Sequence, residues 1–305
     1  MKTKTFTFII CFMVCLNSTA QNVLKNKSHF QTAGYVLKTS FNTITNDFTY
    51  LGKEFSNNWK KTGYYTAGLL GLMLADKSTT RFLHNTIEPA INYKLPNISF
   101  IKSNDGLYTW LRSNDAYMSY PIIGLYLSSL ITNNEKGQFT AVNSIKAIAY
   151  STIISQLALK TIFGRNRPNR SLNSNKIKKP WTNNNFDFFN SRKTYLYSSA
   201  EASSFPSLHA TAFFAIAKVF QMEYDNYWIP YSFMSLVFLA EIKDHNHWVS
   251  DMVIGGVLGT LIGRSIVKSS WKARGLSKEK EKSYTLGYIP QISQSFTGLK
   301  IYCVF

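Results

Sequence analysis

The sequence predicts an all-α protein, a helical bundle with a short C-terminal β-like tail, on three observations. Uncharged stretches recur at residues 62–75, 116–134, 147–159, 226–240 and 252–263, joined by loops rich in Asn, Ser and Lys. A further helical segment, Leu208 to Val219, carries Ala210, Ala212, Phe213, Phe214, Ile216 and Ala217. Near the C-terminus the pattern changes to alternation: Tyr284, Leu286 and Tyr288 in one run, Leu299, Ile301, Cys303 and Phe305 in the next.

In chain order, Lys2 and Lys4 precede the apolar run Phe6 to Leu16, and Ser18-Thr19-Ala20 offers small residues for cleavage, so residues 1–20 read as a secretory signal peptide cut before Gln21. An uncleaved anchor is the alternative, on a run short for crossing a bilayer. Cleavage removes Cys11 and Cys15 and leaves Cys303 alone, which excludes an intrachain disulfide and a cysteine-built metal site. It also lowers the formal charge from +18 by the two lysines Lys2 and Lys4. Such an excess on an exported chain suits an anionic membrane surface or a phosphorylated substrate, and no nucleic-acid motif accompanies it.

Residues 21–61, with Phe30, Tyr35, Leu37 and Phe41 among polar neighbours, predict one or two amphipathic helices lying on another surface. The helical domain spans 62–268. Most of its uncharged runs are shorter than the roughly 20 residues of a spanning helix, and mean hydropathy is −0.12. Two readings follow: a bundle whose spans take in flanking aromatics and functional charges, or an exported globular bundle that touches the membrane. Arg170 to Ser204 is a long polar connection in which Trp181, Phe186, Phe188 and Phe189 either shape a substrate mouth or pack the loop. Residues 269–305 comprise a charged linker and the β-like tail.

Three stretches carry chemistry. The helix from Ala147 is expected to run through Lys160 and Arg167 and stop at Pro168, so that a spacing of seven residues, close to two turns, points both cations one way. Phe205-Pro206-Ser207-Leu208-His209 opens the next apolar helix, with Ser207 as N-cap and helix-opening amides able to hold a phosphate oxygen. In the third stretch His247 and Asp251 stand four apart, so on a helix the carboxylate can fix the imidazole tautomer and aim the other ring nitrogen. His245 reads as a bystander.

Together these stretches resemble the type 2 phosphatidic acid phosphatase superfamily, whose helical core is shared with vanadium haloperoxidases. Its first motif, Lys, six residues, Arg-Pro, is met by Lys160, Arg167 and Pro168; its second, Pro-Ser-Gly-His, by Pro206 to His209 with Leu208 for Gly; its third ends in His247 and Asp251. The resemblance implies a cell-envelope phosphatase, membrane-associated and facing the periplasm, acting on a lipid phosphate or other phosphomonoester. His247 would attack phosphorus, oriented by Asp251, and His209 would protonate the leaving oxygen. Lys160, Arg167, Ser207 and the amide of Leu208 would bind phosphate, with no metal or cofactor in the scheme. A phosphotransferase between lipid head groups, or a relative that has lost catalysis, is the alternative.

One position departs from that pattern. Where the family places a phosphate-binding Arg, this chain has Glu241, preceded by Ala240. Unit charges 4 Å apart interact by about 4 kcal/mol at an effective dielectric of 20, so the exchange predicts a loss of several decades in phosphate affinity unless Glu241 faces away. Lys243, Arg165 and Arg170 are the candidates for a replacement charge.

Overall fold

The computed structural model describes residues 28–101, 110–172, 180–191, 201–276, 285–292 and 297–304; the signal-peptide segment lies outside them. Ser28 caps α1 (His29–Asn42) in a reciprocal capping box with Gln31, which satisfies orphan donors at the helix start. Next come α2 (Ile44–Ser56), α3 (Trp59–Leu74) capped by Asn58, and α4 (Asp76–Phe82), which continues through a π-turn at Leu83–Ile87. A 3-10 turn, Ser113–Asp115, leads into α5 (Ala116–Ile131). α6 (Glu135–Ser151) widens into a π-helical stretch, Thr152–Leu159, and closes with the turn Lys160–Phe163. The last helices are α7 (Leu208–Tyr224), α8 (Trp228–His245) and α9 (Val249–Ala273). The chain is therefore all-α through its main body, as its uncharged runs predict.

α7 is the central element, packed against α6 and α8. Ala210, Ala212, Phe213, Ala215, Ile216, Ala217 and Val219 are all fully buried, the all-round apolar surface of an interior helix. Its small residues let α9 come close. A Cβ added at Gly259 would lie 2.1 Å from the Thr211 carbonyl oxygen, and one at Gly263 2.3 Å from that of Ala215. Glycine is required there by backbone-to-backbone contact rather than by conformation.

α6 is inverted relative to a water-soluble helix. Gln138, Thr140, Asn143, Ser144, Ser151, Ser155 and Gln156 face inward and are fully buried, whereas Ile145, Ile153 and Ile162 are exposed. α5 likewise exposes Ile123, Leu127 and Ile131 at a spacing of four, and α9 exposes Val253 and Val257. Among the described residues α9 is the one helix long and apolar enough to cross a membrane, with 44% of its apolar window buried against the rest of the molecule.

The amphipathic N-terminal helices do lie on the bundle: α1 packs on α6. α2 is tied to it by the buried ion pair of Lys146 with Asp47 at 2.5 Å, to which the Tyr150 hydroxyl donates at 2.8 Å.

The helix bearing Lys160 stops earlier than expected. Gly164 adopts a left-handed conformation, φ +45°, and caps it after Phe163. Arg167–Pro168 form β1, paired in parallel with β2 (Trp181–Thr182). A chain reversal, not a shared helical stripe, therefore places Lys160 and Arg167. Residues 271–305 form a separate compact unit, in which β3 (Thr285–Ile292) and β4 (Thr297–Val304) make an antiparallel hairpin.

Candidate active site

The three motif stretches are stitched together by backbone as well as side chains. The Ser204 amide donates to the Arg165 carbonyl at 2.9 Å, joining the first stretch to the second. The Ser207 amide donates to the Asp251 carbonyl at 3.0 Å, joining the second to the third. Trp248, fully buried, closes the circuit by donating its indole N–H to the Asn166 carbonyl at 3.1 Å.

Arg165 sits at the centre of this circuit, fully buried. It donates to Asp251 Oδ1 at 2.5 Å, to Asp76 Oδ2 at 2.7 Å, to Ser250 Oγ at 2.9 Å and to the Asn185 carbonyl at 2.5 Å. Phe188 and Trp248 present their ring faces to the same guanidinium. Burial pushes the Asp76 and Asp251 carboxyls upward, opposed by these donors. The planar, always-charged guanidinium suits such a divided role. Arg165 is thus spent on the scaffold and cannot supply the charge missing at position 241.

Neither do the other two candidates. Arg170 pairs with Glu88 at 2.5 Å and donates to Asn246 Oδ1 at 2.8 Å, and Lys243 donates to the Ile91 carbonyl at 2.5 Å. Glu241 itself does not face away: it is buried, and its charge acts on His209.

His209 is the second residue of α7, behind an N-cap in which Ser207 Oγ accepts from the Ala210 amide at 3.4 Å. The amide of Leu208 belongs to that first turn, where no intrahelical acceptor exists. His209 Nε2 lies 3.4 Å from Asp115 Oδ2, and the imidazole is flanked by the rings of Trp110 and Phe213. Burial pushes its pKa down to about 4; Glu241 pulls it up, while Lys160 and Arg167 push it further down. Both sequence-predicted cations therefore converge on His209, each buried, and Arg167 Nε donates to Ser203 Oγ at 3.1 Å.

His247 is buried just ahead of α9, which begins at Val249. Its Nδ1 is 3.9 Å from Asp251 Oδ2, near enough for charge to act but beyond a hydrogen bond. Asp251 Oδ2 instead accepts from Ser204 Oγ at 2.5 Å. Of the loop aromatics, Phe188 packs on Phe205 and Arg165, whereas Phe186 and Phe189 are exposed.

Sequence reasoning missed Asp76 and Asp115. Asp76 follows the uncharged run 62–75 and accepts from the Ser250 amide and hydroxyl at 2.9 and 2.5 Å. An isolated acid at the end of an apolar run was its one signal; the partners stand far away in sequence.

Residues 141–274 match the PAP2 superfamily, which supports a phosphatase-type activity in general. No curated protein and no solved structure matches the chain.

Proposed function

We propose, from a chain whose residues 141–274 match the PAP2 superfamily, that this protein is a membrane-associated phosphatase of the cell envelope. It would hydrolyse a lipid phosphate or another phosphomonoester through a phosphohistidine at His247. The observation that carries the reading is the backbone stitching of all three motif stretches around Arg165, with Lys160 and Arg167 drawn to His209.

In this reading His247 attacks phosphorus and the P–O bond to the leaving group breaks. His209 gives that oxygen its proton, and water then releases phosphate from His247. Lys160, Arg167, Ser207 and the Leu208 amide hold the non-bridging oxygens, where negative charge concentrates in the transition state. Asp251, 3.9 Å from His247 Nδ1, would act on the imidazole through its charge. Burial favours the neutral form of His209, and an arriving phosphate dianion supplies the opposite charge that favours protonation. The exposed isoleucines of α5 and α6, set against a buried polar lining, favour lipid as the neighbour of the outer faces.

The test is phosphate release from a chromogenic ester and, separately, from phosphatidic acid in detergent, each with and without orthovanadate. His247→Ala is expected to abolish release while leaving the melting temperature within a few degrees of the parent. Undiminished turnover by this variant would falsify the assignment. Glu241, buried beside His209, favours one second reading, a catalytically impaired envelope protein; silence of the parent toward both substrates would select it. An alcohol in place of water as acceptor would make the same site a head-group phosphotransferase.

A further inference from the structure

Glu241 has come to rest against two other metal-ligating side chains. Asp115 Oδ, a His209 ring nitrogen and a Glu241 carboxylate oxygen lie within 4.8 Å of one another. They arrive from separate elements: the 3-10 turn before α5, the start of α7 and the body of α8. All three are at least nine-tenths buried, at 6%, 7% and 6% exposure. We infer that Asp115, His209 and Glu241 form a binding site for a divalent transition-series cation.

Geometry argues for an ion more strongly than for an ordinary hydrogen bond. His209 Nε2 and Asp115 Oδ2 are 3.4 Å apart, longer than the usual N–H to O contact of about 2.7–3.2 Å. A tetrahedral ion with bonds of about 2.0–2.2 Å separates its donors by roughly 3.4 Å. The Glu241 oxygen, within 4.8 Å of both, offers the third donor. One imidazole and two carboxylates suit Zn²⁺, Mn²⁺ or Co²⁺ better than Mg²⁺ or Ca²⁺, which prefer all-oxygen sites. Trp110 and Phe213 hold the imidazole plane from two sides, and the Ser207-to-Asp251 backbone bond anchors the helix start that carries it.

The charge balance points the same way. Two buried carboxylates near Lys160 and Arg167 would compete with an incoming anion for those cations. A doubly charged ion cancels both carboxylates, so that they no longer offset the positive charge of Lys160 and Arg167. It also occupies the Nε2 lone pair, so the loaded site is a state in which His209 holds metal in place of a proton. The site does not rest on the phosphatase reading, because its test counts bound metal rather than turnover.

The full chain, purified in detergent and stripped with chelator, would be titrated with Zn²⁺ by calorimetry and with Co²⁺ by visible absorption. One ion per chain is expected, with ligand-field bands typical of low coordination for Co²⁺. Glu241→Gln and Asp115→Asn, each close in shape to the parent, should weaken binding at least 100-fold. His247→Ala, outside the trio, should bind as the parent does even if every phosphatase assay is negative. Absence of stoichiometric binding by the parent, or affinity unchanged in both amide variants, overturns the site.

Discussion

Asp76 and Asp251, like Asp115 and Glu241, are buried carboxylates of the candidate site, yet the two pairs meet different surroundings. The first pair grips a single guanidinium from two directions, with Ser204 and Ser250 filling further lone pairs. The second pair closes on an imidazole in the field of Lys160 and Arg167. Where carboxylates are matched donor for donor, the protein is building a frame. Where they gather around a histidine within 4.8 Å of one another, it is building a place for something that comes and goes.

The comparison breaks most severely at Arg165. Arg165→Met strands two buried carboxylates, and removing one partner of such a network costs about 3–5 kcal/mol. A large drop in melting temperature is expected, partly recovered when Asp76→Asn and Asp251→Asn are added. A variant as stable as the parent would show that the frame does not depend on its charges.

Next in size is the other side of the comparison. In chelator-treated protein, Glu241→Arg exchanges a carboxylate for a cation beside His209 and Asp115. Phosphate release should rise about tenfold or more, a decade being worth about 1.4 kcal/mol. An unchanged rate would mean that position 241 does not reach the anion.

A further effect, read in melting temperature alone, sharpens how α7 and α9 are held together. Gly259→Ala forces a methyl group toward the Thr211 carbonyl, separating α9, which carries Asp251, from α7, which carries His209. Overpacking of this kind costs about 1–3 kcal/mol. Gly256→Ala, whose added Cβ would meet only the Phe214 ring at 3.6 Å, is the control expected to melt with the parent. Equal melting of the two variants would remove the glycine contact from the account.

Features that obey local rules could be seen in the sequence. The helical runs, the Ser207 cap and the order of the three motif stretches all follow from neighbours a few residues apart. The end of the Lys160 helix was misplaced because Pro168 drew the boundary, while Gly164 ends it earlier by its left-handed backbone. Asp76 and Asp115 were illegible for another reason. Asp76 reaches Ser250 across 174 positions and Asp115 reaches His209 across 94, and no periodicity records such pairings. The location of Glu241 was likewise open, since a side chain's direction on α8 depends on what packs around it.

The π-helical stretch at Thr152–Leu159 sets the bearing of everything after it. A π turn closes its hydrogen bond one residue later than an α turn, and each residue sweeps about 100° around an α-helix. Lys160 therefore leaves α6 on a heading that an unbroken α-helix would not give it. A single-residue deletion upstream of Lys160 would act like turning a key one notch: the lysine would still be present, one line of sequence higher, and would face a different neighbour.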